Sequence, residues 1–213
     1  MQINHITVGD IATNCWLYPL NETECAVIDP GAEPEKIIAR LKQLHLRLAY
    51  ILLTHGHFDH IAALPQLAAA FAPVIAIHRL DAQYLGPASN AVHRHSFTIA
   101  AGNADYIDAL WEDMPAADRE LEEGDKIGPF TVLHIPGHTE GSVGFYDEAA
   151  KVLFSGDTLF RGDYGRTDLP GGSDEKIFAS LKRLLAMDGD IQVFPGHGPA
   201  TTIKEEAARG MIR

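Results

Sequence analysis

Short apolar runs separated by Asn, Gly and Pro open the chain, at Ile3 to Val8, Cys15 to Tyr18 and Cys25 to Asp29. Runs of that length, broken by turn-forming residues, predict antiparallel strands. After Pro34 the period changes. Ile37, Ile38, Leu41 and Leu44 recur at spacings of three and four and make one apolar stripe, which predicts a helix. Ala49 to Leu53 then reads as a buried strand. A helix follows from Asp59 through Leu64, Leu67 and Phe71, ended by Pro73, with Val74 to Ile77 as the next strand. The second half repeats the alternation with strands at Lys126 to Ile135, Val143 to Tyr146 and Lys151 to Phe154. A helix from Asp174 to Met187 places Ile177, Phe178, Leu181, Leu184 and Leu185 inside, and Ile191 to Phe194 is the last strand. Strands followed by helices in two comparable halves predict two sheets packed face to face with helices outside.

The 213 residues are 46% hydrophobic and no Pro-rich or Ser/Gly-rich linker divides them, so residues 1–213 read as one domain with a large core. With 29 acidic against 17 basic residues the formal charge is -12. That sign argues against a nucleic-acid channel or an anionic membrane surface as partner. Met-Gln-Ile-Asn-His carries neither a basic nor an apolar targeting region, and no apolar run is long enough to span a bilayer, so the expected location is cytoplasmic. Cys15 and Cys25 form no CxxC pair and sit in strand-like sequence, which predicts two buried free thiols. Composition sets no oligomeric state.

Candidate chemistry is concentrated in Thr54-His-Gly-His-Phe-Asp-His60, directly after the apolar run ending at Leu53. An extended segment puts His55 and His57 on one side of the backbone, while Asp59 and His60 turn back from the next helix. Burying four such groups without an ion would leave them unpaired, at a cost of several kcal/mol. Three further ligand-type residues each follow a glycine in a turn after a strand-like run: His138 in Pro-Gly-His-Thr, Asp157 in Ser-Gly-Asp-Thr and His197 in Pro-Gly-His-Gly. A residue without Cβ lets these strand ends turn sharply and approach one another. Five His and two Asp suffice for a two-metal site.

The order His55, His57, Asp59, His60, His138, Asp157, His197 resembles the signature of the metallo-β-lactamase superfamily, with all seven positions filled. Leu153-Phe-Ser-Gly-Asp-Thr-Leu-Phe-Arg-Gly162, then Gly165-Arg-Thr-Asp-Leu-Pro-Gly-Gly172 and Pro195-Gly-His-Gly-Pro-Ala-Thr-Thr202, are similar to the small glyoxalase II-like hydrolases of that superfamily. The resemblance covers nearly the whole chain and is weakest from Leu80 to Glu120. It implies an α+β fold, an αββα sandwich of two mixed β-sheets with the metals at one edge. It further implies one ion on His55, His57 and His138, a second on Asp59, His60 and His197, and Asp157 between them. Two divalent ions are expected, zinc first, with iron and manganese as alternatives. Asp59 and Asp157 are the carboxylates assigned to catalysis. The implied activity is hydrolysis of a small-molecule thioester of the hydroxyacylglutathione type by a hydroxide shared between the ions. A mononuclear iron persulfide dioxygenase and a lactonase, from the same superfamily, stay open as alternatives.

Some residues read two ways. Asp29, in Asp-Pro-Gly, is either a carboxylate orienting a ligand imidazole or part of a simple β-turn. Arg166 either contacts substrate or holds its loop, and the holding role is preferred. His93 and His95 have ligand spacing but lie in polar sequence, which predicts surface exposure. Residues 80–120, with Tyr84, Phe97, Tyr106 and Trp111, are expected to form a helical lid over the site. Glyoxalase II enzymes carry a helical C-terminal domain whose basic residues hold glutathione, for which Lys204, Arg209 and Arg213 are a thin replacement.

Overall fold

The computed structural model describes residues 2–210, so Arg213 lies outside the described residues. The first sheet runs β1 (Asn4–Val8), β2 (Thr13–Pro19), β3 (Glu24–Ile28), β4 (Arg47–Leu52), β5 (Val74–His78) and β6 (Arg119–Leu121), in that spatial order. β1 to β3 pair antiparallel and β3 to β6 parallel. The second sheet holds β7 (Lys126–Ile127), β8 (Phe130–His134), β9 (Val143–Asp147), β10 (Val152–Gly156), β11 (Gln192–Pro195) and β12 (Thr201–Thr202), again in chain order across the sheet. Only β10 and β11 are parallel there. Both sheets are therefore mixed, as expected.

Side-chain alternation divides the core into layers. Trp16, Ala26, Ile28 and Leu52 face the second sheet and meet Phe130, Val132, Phe145 and Phe154. The intervening Cys15, Leu17, Cys25, Val27 and Ile51 face outward, onto Ile37 and Leu41 of α1 (Pro34–Gln43) and onto Leu64 and Leu67. On the far side Leu133, Leu153 and Val193 pack on Ile177, Leu181 and Leu184 of α6 (Asp174–Leu185). The order is αββα. The start of α6 is set by Ser173, whose hydroxyl accepts from the Lys176 amide, and Lys182 and Arg183 complement the dipole at its end.

Three expectations need correction. The helix after Asp59 is two, α2 (Phe58–Ile61) and α3 (Leu64–Phe71), because Pro65 has no N–H to continue an existing helix and instead suits a first turn. The strand Lys126 to Ile135 is the hairpin β7–β8, folded at Gly128-Pro129 with Thr131 opposite Lys126. Phe178 is 40% exposed rather than inside. One residue past Ile177 is a rotation of about 100° around the helix, which carries it off the buried stripe and onto the edge of Tyr164.

Candidate metal centre

Strands of both sheets end at one edge of the sandwich, and the loops leaving them carry the chemistry. His55, His57, Asp59 and His60 follow β4, His138 follows β8, Asp157 follows β10 and His197 follows β11. Donor atoms of His55, His57 and His138 lie within 4.8 Å of one another, as do those of Asp59, His60 and His197. Asp157 stands between the triads. Its Oδ2 is 3.6 Å from His138 Nε2 and 3.4 Å from His197 Nε2, and its Oδ1 is 3.4 Å from His60 Nε2. Folding thus brings all seven residues together. Gly196 permits this approach, since a Cβ at that position would overlap Asp157 Oδ1 and crowd the His60 ring. Gly156 has φ 50°, and a Cβ there would strike Thr54.

Surrounding polar groups fix the imidazoles. Asp29 Oδ2 faces His60 Nδ1 at 3.0 Å, and the same carboxylate accepts from Thr54 N and Thr54 Oγ1 at 2.8 and 2.6 Å. Its oxygens are thereby committed, so Asp29 orients His60 and leaves His60 Nε2 directed at the cluster. His138 Nδ1 donates to the Arg166 carbonyl at 2.7 Å, which directs His138 Nε2 inward. The Arg166 side chain makes a two-point pair with Asp168, Nε to Oδ1 at 2.6 Å and Nη2 to Oδ2 at 2.8 Å. It holds the loop that holds His138.

The protonation pattern suits a cation. Burial pushes the His55 imidazole well below its ordinary value, reinforced by His60, His138 and His57. His57 is lowered to about 3, by burial first and His138 second. Burial also opposes charge on His60, but Asp157, Asp59 and Asp29 outweigh it and raise His60 well above the ordinary range. Against the same burial, hydrogen bonds to Asp157 and Asp59 raise His197 to about 9. Asp59 is held at about 2 and Asp157 well below the carboxylate range; burial opposes both, and His60 leads the groups that lower them. The carboxylates of Asp59 and Asp157, mostly shielded from water, thus demand positive charge, which protons on His60 and His197 supply when no ion does. His55 Nε2 and Asp157 Oδ1 are buried without a hydrogen-bond partner. The neutral imidazoles of His55 and His57, the ionised Asp59 and Asp157 and the orphaned donor atoms suit a metal ion, which would take the place of the protons on His60 and His197. The donor set fits the two ions expected.

Sequence reasoning missed Asp81, which is fully buried in the 3-10 turn Arg79–Tyr84 after β5. Its Oδ2 accepts from Gly56 N at 3.0 Å and Thr139 Oγ1 at 2.7 Å, and its Oδ1 from Gly141 N at 2.8 Å. One carboxylate therefore ties the His55–His57 loop to the loop of His138. The available signal was an acidic residue just past a strand, as at Asp29 and Asp157. Glu206 on α7 (Ile203–Arg209) was also missed; it is fully buried and accepts from Gly162 N at 2.8 Å, anchoring the loop beyond Asp157.

His93 corrects another expectation. It is 1% exposed, bonded to the Tyr84 carbonyl at 2.9 Å and packed against Phe58 and Trp111, whereas His95 is exposed as its polar context implied. His93 lies on α4 (Asn90–Ala101), and the apolar contacts of Phe58 and Tyr84 bury that face of the helix despite the polar residues around it. α4 and α5 (Asp105–Leu110) close over Phe58, which stacks on Trp111 and meets Phe97 and Tyr106 edge-on. A cavity of 380 Å³ opens between α4 and the loop after Asp157, with His57, Asp59, His138, Asp157 and His197 in its lining. Lys204 and Arg209 are not in that lining, and Arg209 pairs with Glu206. Cys15 and Cys25 are free and buried; burial raises Cys25 to about 12 and Cys15 well above its ordinary value, so neither offers a thiolate.

The fold and this cluster define a class, and the family model described as Metallo-beta-lactamase superfamily matches residues 8–197. The chain belongs to that superfamily. It is similar to hydroxyacylglutathione hydrolase GloC of Haemophilus influenzae, at 36% identity over 97% of this chain and 95% of the relative. Among solved structures, TTHA1623 in a di-iron-bound form superposes with a TM-score of 0.83 at 41% identity, covering 96% of each chain. The BLEG-1 B3 metallo-beta-lactamase gives 0.84 at 35% identity, covering 97% of each. Among the described residues no helix is long and apolar enough to cross a membrane.

Proposed function

We propose that this protein is a metal-dependent hydrolase of small-molecule thioesters, of the hydroxyacylglutathione hydrolase type. The observation that carries the reading is the pair of donor triads, His55–His57–His138 and Asp59–His60–His197, sharing Asp157 at the floor of a cavity. When bound there, two divalent ions supply a nucleophile at neutral pH and polarise the acyl carbonyl. Zinc or iron suits these imidazole and carboxylate donors, and the di-iron form of a 41% identical structure supports iron as a resident alternative. The protein's own work is positional. Asp29 and the Arg166 carbonyl hold the Nδ1 protons of His60 and His138, keeping each Nε2 free for ligation. Asp59 and Asp157 stay ionised near neutral pH and act as acceptors only, with Asp59 Oδ2 steadied by Thr13 Oγ1 at 3.2 Å. A thiolate leaving group asks least of such a site, since its conjugate acid has a pKa of about 8–9 and needs little protonic help. α4 walls the cavity beside His57, and Phe97 of α4 and Tyr106 of α5 pack on Phe58 beneath it. Two buried free thiols suit a reducing, cytoplasmic location.

The test is metal analysis of the purified protein combined with three parallel assays. Release of free thiol from S-lactoylglutathione without oxygen consumption is the expected result. Oxygen uptake with glutathione persulfide and no thioester cleavage would place the protein in the dioxygenase branch. Turnover of a β-lactam or lactone at a higher kcat/KM than any thioester would also reject the assignment.

A further inference from the structure

The walls of the active-site cavity differ in kind from its floor. Phe97, Ala100 and Ala101 of α4 form one wall; Phe160 and Leu169 on the loop after Asp157 form the other, and Ile11 in the β1–β2 turn stands at the rim. Ile11 is 43% exposed, a branched aliphatic side chain left in water beside a metal-ligand cluster. Among the described residues the lining contains one guanidinium or ammonium group, Arg166, and Asp168 occupies both its Nε and its Nη2. A glutathione tail brings two carboxylates into a chain of net charge -12, and these walls offer them only the remaining Nη1 edge of Arg166, a single cation already paired with Asp168. The walls do offer apolar surface to a hydrocarbon chain.

We propose that the cavity selects thioesters with an unbranched hydrocarbon acyl group, laid against Phe97, Ala100 and Leu169, on a thiol that needs no carboxylate. This rests on the thioesterase reading for its chemistry and on the wall composition for its specificity. Each methylene removed from water between apolar walls contributes about 0.8 kcal/mol, equivalent to a factor of about four. The acyl chain is held in the same place before and during cleavage, so the gain enters binding as well as kcat/KM.

Two measurements on the metal-loaded protein test it. Acetyl, butyryl and hexanoyl thioesters of N-acetylcysteamine should show kcat/KM rising about fourfold per methylene. Hexanoylglutathione should differ from the N-acetylcysteamine ester by less than about tenfold. Calorimetry with the uncleavable S-butyl and S-hexyl thioethers of N-acetylcysteamine should give a Kd that tightens with length and a negative heat-capacity change. Ile11→Ser and Ala100→Arg change exposed side chains, and both should flatten the length dependence. Ala100→Arg should also raise the relative rate of the glutathione ester by about tenfold, since it places a free guanidinium in the wall. A flat or falling length series in Kd, or a glutathione preference above about a hundredfold, overturns the inference. If the Kd series holds while no thioester is cleaved, the specificity stands and the thioesterase reading falls.

Discussion

Replacing Asp81 with alanine removes a side chain that touches no reacting atom yet joins two ligand loops. The carboxylate accepts three hydrogen bonds, from Gly56 N, Thr139 Oγ1 and Gly141 N, and is fully buried. Burial raises its pKa, and those same three bonds oppose the rise. In Asp81→Ala the Thr139 hydroxyl keeps an alternative partner in Ser142 Oγ at 2.8 Å. The Gly56 and Gly141 amides do not. Two orphaned buried donors at about 2 kcal/mol each give a loss of about 4 kcal/mol. The desolvation cost of the vanished carboxylate returns part of it, leaving roughly 3 kcal/mol. For a domain of this size that lowers Tm by roughly 6–12 °C. Asp81→Asn keeps the volume and one acceptor oxygen but turns an amide NH2 towards a donor, so it should lose about half as much. Thermal and urea unfolding of metal-stripped protein isolates the folding contribution. Metal titration then reads the positional one: the His55–His57–His138 site should weaken in both variants more than the Asp59–His60–His197 site. A loss below about 1 kcal/mol with unchanged metal affinity would refute the argument that Asp81 couples the loops.

Four further outcomes rest on the same geometry. Metal-replete protein should hold two ions per chain. Asp157→Ala should weaken both sites, because its oxygens face both triads, whereas His197→Ala should weaken mainly one; equal loss from both sites in each variant contradicts the assignment. Gly196→Ala should displace Asp157 and lower metal affinity at least tenfold without loss of folding, measured by competition with a chelator; unchanged affinity would show that the turn has room. His93 has its pKa lowered to about 4 by burial, against its bond to the Tyr84 carbonyl. The unfolded chain therefore binds a proton that the folded chain refuses. Stability from this group is intact above about pH 6.5 and declines as pH falls towards 4, by about 3 kcal/mol in all. His93→Phe should remove that part of the acid slope in urea unfolding, and an identical slope in both proteins would exclude it.

What could be read from the chain, and what could not, separates by the range of the interactions responsible. The short apolar runs Cys15 to Tyr18 and Cys25 to Asp29, bounded by turn-forming residues, and the three-and-four spacing of Ile37 to Leu44 are local patterns, and they fold as strands and helix accordingly. The dense run from His55 to His60 was legible for a related reason, since few residue patterns are so costly to bury without an ion. Errors arose where a local pattern was cut by one residue, at Pro65 and Gly128, or where one position more on a helix reverses its side chain's surroundings, at Phe178. Other features belong to tertiary structure alone. His93 is polar, in polar sequence, and its burial is decided by Phe58, Tyr84 and Trp111, which approach from distant parts of the chain. The role of Asp81 depends on amides 25 and 60 residues away. The apolar walls of the cavity come from α4, the β1–β2 turn and the loop after Asp157, none of which predicts the others. Backbone period and residue type act within a few positions, so the elements and the concentration of ligand-type residues were legible in the chain. Which loops share one edge, and what surrounds the site there, was decided only when two sheets twisted and packed face to face, since long-range contacts leave no periodic trace in the chain that makes them.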